Sequence, residues 1–430
     1  ASFSGAGTFL KGNANVISDT TWNVAVVDLD DGPTALHANL TVNASAVDSS
    51  GDGVDAPGAI TIDPNKRLTV NISGGSSWAL DPLANITYNG MITLMANVYL
   101  AGSDLTMNGT VDQFGVGRTE ARLAIGPTGV INIQSLVGRF ELGSGSIANP
   151  NTIAGGTING PGTLADNGIR ALHGFGTINA PVRLLNSQLK ADNGILTIVG
   201  DITDTAAIGT SDSDGILNIP APWSTSIGPG GGSVFSVQMA GGEIRGGTIT
   251  NRSAEGIQGH GQITSRVVNN SRITGSGSAG QSLVLQTVGN DNDWDGTNNL
   301  GTLRALNADL VLRDNARFLF EGTVEAGTFV EVAAEGFELD FQADSKLVLT
   351  RGRYRSTEST HFRGSLTTPA ADYVSKIIVP AGKSMDFLPT STAVLTGNLE
   401  LHSANTIIHS GATFTGGGAL IVPVAAGLFP

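Results

Sequence analysis

Very short runs of alternating apolar residues, separated by turn residues, repeat along the whole chain. Each run places two apolar side chains two positions apart, and therefore on one face of a β-strand. About six to eight residues rich in Gly, Asn, Asp, Ser and Pro, the residues that favour turns, lie between successive runs. The first third of the chain contains the pairs Leu40/Val42, Ile60/Ile62, Leu68/Val70, Trp78/Leu80, Ile86/Tyr88, Ile92/Leu94, Val98/Leu100, Leu105/Met107, Leu123/Ile125, Ile131/Ile133 and Phe140/Leu142.

Strands this short and this evenly spaced predict a solenoid. Three units of strand and turn make one coil of about 20 to 25 residues, a spacing typical of repeat folds. We therefore expect an all-β chain that forms a right-handed parallel β-helix, or β-solenoid, with about three short strands per coil. An antiparallel sandwich is the alternative, because Asn89-Gly90, Asn108-Gly109 and Asn159-Gly160 are also typical hairpin turns.

A glycine motif recurs where the strands are expected to turn. Glycine suits a tight corner because it adopts positive φ and lets the backbone pass close to the neighbouring coil. The motif occurs as Gly5-Ala-Gly7-Thr8-Phe9, Gly160-Pro-Gly162-Thr163-Leu164, Gly174-Phe-Gly176-Thr177-Ile178, Gly259-His-Gly261-Gln262-Ile263 and Gly416-Gly-Gly418-Ala419-Leu420.

The two ends of the sequence resemble one another. Residues 1–9 (ASFSGAGTF) and 412–420 (ATFTGGGAL) share the same pattern, so we expect the chain to be part of a longer protein and its end coils to self-associate. Composition separates residues 1–150 with regular alternation, 151–280 rich in Gly, and 281–430 with more charge and aromatics. No Pro- or Ser-rich linker divides them, which predicts one continuous solenoid over residues 1–430.

Composition excludes several classes of protein. Charged residues make up only 14% of the chain, against about 25% in typical soluble domains, which argues against a helix-rich fold. The net charge of -14 argues against nucleic-acid binding. Cysteine is absent, so disulfides and thiolate metal sites are excluded. No apolar run is long enough to predict a membrane span. Together these features favour a secreted or cell-surface location.

Three segments resemble large secreted bacterial surface proteins of the autotransporter and haemagglutinin-like β-helix type, including exported repeat proteins of planctomycetes. They are residues 155–164 (GGTINGPGTL), 174–181 (GFGTINAP) and 267–275 (VVNNSRITG). The resemblance implies a right-handed β-helix displayed outside the cell, where it serves in adhesion, matrix or fibre formation. It carries over no catalytic residue, because these families share no catalytic signature.

Two acidic turns are candidate calcium sites. Asp291, Asp293, Asp295 and Asn299 place oxygen ligands at alternating positions around Gly296, as in the first half of a calcium loop. Thr302 stands where such a loop has its bidentate Glu, so a solvated acidic turn is the alternative. The weaker second turn contains Asp48, Asp52 and Asp55.

Signatures of enzymes are missing, and we predict no catalytic residue and no further cofactor. The rival prediction is a polysaccharide lyase or hydrolase built on the β-helix, which needs opposed carboxylates or a base with cations. A phage-type receptor-binding spike is the other alternative. The charged residues considered for an enzyme are Asp340, Asp344, Lys346, Arg351, Arg353 and Arg355. The leading prediction is a non-enzymatic extracellular structural or adhesive solenoid that binds itself end to end, with a surface glycan or matrix as a further partner.

Overall fold

The computed structural model describes residues 2–9, 14–28, 34–44, 46–48, 60–63, 66–72, 78–79, 86–88, 91–94, 98–100, 104–107, 110–113, 116–119, 122–143, 148–166, 168, 170–225, 234–253, 256–286 and 292–422. Within these residues the regular structure is all β-strand, with no helix. The chain divides into two compact units. The N-terminal unit is Ala1–Ile208 with Gly215–Asn218, and the C-terminal unit is Gly209–Asp214 with Ile219–Pro430.

The strands are short and follow one another at close intervals. The first are β1 Ser2–Phe9, β2 Ala14–Val16, β3 Thr20–Asp28, β4 Thr34–Leu36, β5 Leu40–Ala44, β6 Ala46–Asp48, β7 Ile60–Ile62, β8 Arg67–Ile72, β9 Trp78–Ala79, β10 Ile86–Tyr88, β11 Met91–Leu94, β12 Val98–Leu100, β13 Asp104–Met107, β14 Thr110–Gln113, β15 Val116–Thr119, β16 Arg122–Ile125, β17 Val130–Ile133, β18 Arg139–Leu142, β19 Asn151–Asn159, β20 Thr163–Asp166, β21 Ala171–Ile178, β22 Val182–Arg183, β23 Gln188–Ile198, β24 Thr205–Thr210 and β25 Ile216–Ile219.

The strands that follow are β26 Trp223–Thr225, β27 Val234–Gly246, β28 Ile249–Asn251, β29 Ile257–Ile263, β30 Val267–Asn269, β31 Arg272–Gly275, β32 Ser282–Gln286, β33 Thr302–Ala305, β34 Asp309–Arg313, β35 Phe318–Phe320, β36 Thr323–Ala326, β37 Glu331–Glu335, β38 Leu339–Phe341, β39 Lys346–Leu349, β40 Arg353–Ser356, β41 Thr360–Phe362, β42 Ser365–Thr368, β43 Val374–Ile378, β44 Ser384–Phe387, β45 Thr392–Leu395, β46 Asn398–His402, β47 Asn405–Ile408, β48 Thr413–Thr415 and β49 Leu420–Ile421.

Each unit is a parallel β-solenoid, as the sequence predicts. Strands of successive coils pair in parallel, so that Met91 lies between Arg67 and Thr110, its partners 24 residues before and 19 residues after it. In the C-terminal unit one column of paired residues joins β33, β36, β39, β42, β45 and β48. The sandwich alternative is wrong for the described strands, because their pairs are parallel and hairpins would make them antiparallel.

Each coil contains up to three strands, which confirms the predicted number. The third strands form separate small sheets, β9, β12, β15, β18, β20 and β22 in the N-terminal unit and β35, β38, β41, β44 and β47 in the C-terminal unit. Elsewhere one long strand replaces two. The first half of β19 pairs with β16 and its second half with β17, and the strand bends at Gly155, where φ is +95°.

The glycine motif forms close contacts between coils. Gly174 has a φ of +135°, and a Cβ there would lie 1.9 Å from the carbonyl oxygen of Ile153 in the preceding coil. Gly259 repeats this geometry, since a Cβ would lie 1.9 Å from the carbonyl oxygen of Met239. Any larger residue would force these coils apart. The predicted role of the motif as a tight corner is therefore confirmed at both positions.

The core is made of the alternating residues that the sequence identifies. Ile131 and Ile133 on β17, and Phe140 and Leu142 on β18, are at most 1% exposed. In the sheet formed by β35, β38, β41, β44 and β47, one buried column consists of aromatic rings. The rings of Phe341 and Phe362 stack at 4.6 Å with an interplanar angle of 12°, and those of Phe362 and Phe387 stack at 5.3 Å and 13°. Burial of such side chains contributes roughly 1.5–3 kcal/mol each to stability.

Candidate functional site

The first candidate calcium turn is anchored to the preceding coil. Asn292 is buried, its side-chain oxygen accepts a hydrogen bond from the backbone N–H of Val267 at 3.0 Å, and its amide donates to Asp314 at 3.2 Å. Trp294 is fully buried beneath the turn. The side-chain amide of Asn269 donates to the carbonyl oxygen of Trp294 at 3.0 Å. These hydrogen bonds satisfy buried polar groups, and they hold the turn in place whether or not a metal binds.

The backbone geometry of this turn requires glycine at position 296. Gly296 has a φ of +74°, and a Cβ there would lie 2.5 Å from the carbonyl oxygen of Asn269. The next residue, Thr297, donates from its backbone N–H to the side-chain oxygen of Asn270 at 2.8 Å. Glycine is therefore required by the close approach of the two coils, whether or not a cation binds.

Two carboxylates meet inside the turn. Asp295 is 4% exposed, and its carboxylate accepts a hydrogen bond from the backbone N–H of Glu321. Burial, together with the neighbouring Asp293 carboxyl, raises the pKa of Asp295 to about 6, although the hydrogen bond from the Glu321 N–H opposes the shift. The side-chain amide of Asn299 donates to the Glu321 carboxylate. Two adjacent acids, one of them buried, form an unfavourable pair that a cation would stabilise.

The calcium assignments stay predictions. Of the four residues in the first turn, Asp293 and Asp295 lie together, Asn299 hydrogen-bonds Glu321, and Asp291 lies outside the described residues. In the second turn Asp48 ends β6, while Asp52 and Asp55 lie outside the described residues. Among the residues with described positions, no three His, Cys, Asp or Glu side chains are grouped to hold a metal ion. The sequence pattern did not indicate Glu321, which belongs to the next coil.

The charged residues considered for an enzyme are distributed over several faces. Lys346 lies on β39, Arg353 and Arg355 lie on β40, and Asp340 lies on β38 in a different sheet. Arg351 adopts a φ of +62° and its guanidinium covers the ring of Tyr373. The sequence grouped these residues because they are close along the chain, but the coil separates their side chains.

Arg355 is the centre of an ion-pair row on the outer face of β37 and β40. Its Nε donates to Glu331 at 2.6 Å and its Nη2 donates to Glu335 at 2.7 Å. Ala333, the residue between these two glutamates, pairs with Arg355 across the strands and is 0% exposed. Burial would raise the pKa of Glu335, but hydrogen bonds from Arg355 and Arg313 outweigh it and lower that pKa. The arginine therefore spans two acids and covers the alanine.

A second charged row crosses the sheet formed by β35, β38, β41, β44 and β47. The sequence did not predict that its residues lie together. Asp340 is fully buried, and one of its oxygens accepts from Nε of Arg317 at 2.8 Å. Its other oxygen lies 2.7 Å from Nδ1 of His361. On the far side, Nε2 of His361 lies 3.4 Å from Asp386. The imidazole is thus placed between two carboxylates, a pattern also found where histidine acts as a base.

A sequence signal for this row exists. Asp340, His361 and Asp386 each stand immediately before a buried Phe on β38, β41 and β44. His361 pairs with Asp386 across the strands, and the neighbouring Phe341 pairs with Phe362. The repeated pattern of an ionisable residue followed by Phe marks one outward column beside one inward column. His361 and Asp386 were missed because neither belongs to a recognised motif.

The outer side of β33, β36 and β39 contains a surface pocket of about 420 Å³. Arg304, Glu325 and Val348 lie on the outward side of these strands, and Gly327 and Thr350 follow the strands directly. Nε of Arg304 lies 3.4 Å from a Glu325 oxygen, and both side chains are about one-third exposed. The volume lies within the range of small-molecule sites, roughly 300–1,000 Å³.

Within the described residues there is no helix of the length and apolarity needed to cross a membrane. Comparison of the chain with models of known protein families, with curated proteins and with solved structures found no match in any of the three.

Proposed function

We propose that this chain is an extracellular structural or adhesive solenoid, as its sequence motifs suggest, and that it is not an enzyme. The observation that carries the proposal is the pairing of outward charged side chains between successive coils. Arg313 pairs with Glu335 at 2.9 Å, Arg355 with Glu331 and Glu335, and Lys376 with Glu400 at 2.9 Å. Such pairs stiffen the stack and occupy the carboxylates of these rows.

These charged side chains act as a network and not as single pairs. An isolated exposed ion pair contributes little to stability, in the range of about 0–1 kcal/mol. Here Arg313, Glu335 and Arg355 form a continuous row, in which each charge contacts a residue 20 to 22 positions away. A row of this kind joins neighbouring coils along the direction in which a fibre would be loaded. That geometry suits a structural role.

The proposal includes self-association through the end coils. Its support is the likeness of residues 1–9 and 412–420, which contain strands β1 and β48. Parallel strand edges offer unpaired N–H and C=O groups that a second copy can pair with. Electron microscopy of the purified chain over a range of concentrations tests this. Head-to-tail filaments are expected, and particles of a single short length at every concentration would contradict the proposal.

The adhesive role is tested on cells and surfaces. The purified chain is expected to bind bacterial or matrix surfaces and to release no product from polysaccharides. A depolymerisation screen that detects shortened glycans would contradict the non-enzymatic proposal. A stable trimer in light scattering would favour the receptor-binding spike instead.

A carbohydrate-active enzyme is the second candidate, and one observation favours it. The row of Asp340, His361 and Asp386 places an imidazole between two carboxylates at an outer face. Asp340 already accepts hydrogen bonds from Arg317 and His361 through its two oxygens. Asp386 is therefore the carboxyl group that would take part in the reaction. If the screen finds activity, the variants Asp386→Asn and His361→Gln are expected to abolish it. Glu358→Gln, a matched change beside Lys383, is the control.

A further inference from the structure

The pocket on β33, β36 and β39 lies where one position of a stacked column carries no side chain. Leu306, Gly327 and Thr350 each follow the last residue of their strand and occupy equivalent positions in successive coils. The N–H of Gly327 donates to the carbonyl of Ala305 at 2.9 Å, and that of Thr350 donates to Ala326 at 2.8 Å. Gly327 thus carries no side chain between a leucine and a threonine, and its backbone lies close against the preceding coil. A Cβ there would lie 3.1 Å from the carbonyl oxygens of Ala305 and Leu306.

The polar side of the pocket is an ion pair whose two side chains keep further hydrogen-bonding groups available. Arg304 and Glu325 pair across β33 and β36 with 3.4 Å between Nε and the nearest carboxylate oxygen. Within the described residues no other partner of either side chain is found. Arginine has five N–H donors and a carboxylate has about four acceptor sites. Most N–H donors of Arg304 and most acceptor sites of Glu325 therefore remain available to a ligand at the pocket.

The remaining wall combines small hydrogen-bonding groups with apolar surface. Asn307, Thr328 and Thr350 contribute an amide and two hydroxyls. Val348 and Leu306 contribute aliphatic carbons beside Gly327. A ligand that fits must present hydroxyls on its edge and C–H groups on a face. Because Arg304 and Glu325 neutralise each other, the ligand carries no net charge.

We infer that this pocket binds a neutral pyranose residue of a glycan, with vicinal hydroxyls on Arg304 and Glu325 and a C–H face toward Val348 and Leu306. A vicinal diol both donates and accepts hydrogen bonds, so it matches an adjacent guanidinium and carboxylate. The inference deepens the adhesive part of the proposed function and rests on it, because it supplies the chemistry by which the solenoid recognises a surface.

Saturation-transfer NMR and calorimetry on the full chain test the inference. The probes are methyl glucopyranoside, methyl galactopyranoside and methyl mannopyranoside, followed by neutral oligosaccharides that bind with a measurable Kd. Arg304→Gln and Glu325→Gln are each expected to weaken binding at least tenfold. Gly327→Ala places a methyl group against the carbonyl oxygens of Ala305 and Leu306, so it is expected to shift this wall of the pocket and to weaken binding as well. The matched controls Arg313→Gln and Glu335→Gln make the same changes on a different row and are expected to leave Kd unchanged. Circular dichroism checks that each variant keeps the fold.

Three results would overturn the inference. One is the absence of binding to every neutral pyranoside. Another is binding that the Arg304 and Glu325 variants leave unchanged. The third is tighter binding of uronates or sulfated sugars, which would make Arg304 an anion site. If cell or matrix adhesion persists in all three variants, the pocket does not supply the adhesion, while the proposed function stands. If the wild-type chain binds sugar but no surface, the proposed function fails.

Discussion

Removal of one ring from the aromatic stack is expected to destabilise several coils together. Phe362 is 2% exposed and lies between Phe341 and Phe387, with ring centroids 4.6 Å and 5.3 Å away. Replacement of a buried Phe by Ala typically costs about 3–5 kcal/mol, through lost burial and the cavity that remains. Each stacked pair contributes about 0.5–1.5 kcal/mol beyond burial. We expect Phe362→Ala to lower the free energy of unfolding of the C-terminal unit by about 4 kcal/mol.

The Phe362 series has two internal comparisons. Phe362→Leu keeps most of the volume and loses the ring stacking, so its expected cost is about 1–2 kcal/mol. Phe329 is 77% exposed, and Phe329→Ala removes the same atoms without opening a cavity. Its expected effect is within about 0.5 kcal/mol. Comparison of Phe362→Ala with these two variants distinguishes the cost of losing the ring packing from the cost of losing apolar atoms alone.

Hydrogen exchange measures how far the Phe362 effect spreads. In a stacked repeat each coil is stabilised by its two neighbours. The amides of β38, β41 and β44 are therefore expected to lose protection together in Phe362→Ala, while those of β26 and β28 keep theirs. Urea unfolding followed by circular dichroism gives the total change. A cost no larger than that of Phe329→Ala would refute the common aromatic interior of these coils.

Three further changes test separate features. His173 is 8% exposed, and burial together with Lys190 lowers its pKa to about 4. The stability that neutral His173 contributes is therefore fully present above about pH 6.5, and it falls by roughly 2 kcal/mol as the pH drops to 4. His173→Gln is expected to remove this pH dependence of the free energy of unfolding in urea. Asp295 has a raised pKa, so its contribution is present below pH 3.8 and is lost as pH rises through about 6. Asp295→Asn is expected to stabilise the chain at pH 8 by roughly 2 kcal/mol, and calcium to raise the Tm of the wild type but not of this variant. Ala333→Leu is expected to lift Arg355 from its glutamates and cost about 1–3 kcal/mol in thermal unfolding, whereas Val311→Leu in the same column is expected to cost less.

The strands and the core could be predicted because both depend on local sequence. Pairs such as Ile131/Ile133 and Phe140/Leu142 are read directly from alternation, and the structure buries them. The glycine corners at Gly174 and Gly259 were also readable, because only glycine fits a positive φ beside a neighbouring backbone.

The outward rows could not be predicted because they depend on register between coils. Arg355 contacts Glu331, 24 residues away, and also Glu335, 20 residues away, so no single spacing identifies its partners. In the same way Asp340 contacts residues 23 positions before it and 21 after it. Coil length varies through the turns, and each inserted residue changes which outward side chains become neighbours.

Variation in the turns also explains why candidate sites differ in how well the sequence reveals them. An acidic turn is contiguous, so Asp293 and Asp295 were found, but Glu321 comes from the next coil and was missed. The pocket beside Gly327 has no contiguous motif, because Arg304, Glu325 and Val348 come from three coils. A parallel solenoid repeats its backbone while each outward column combines residues from different coils. Recognition surfaces in this chain are therefore expected along columns, and single turns are expected to hold the coils together.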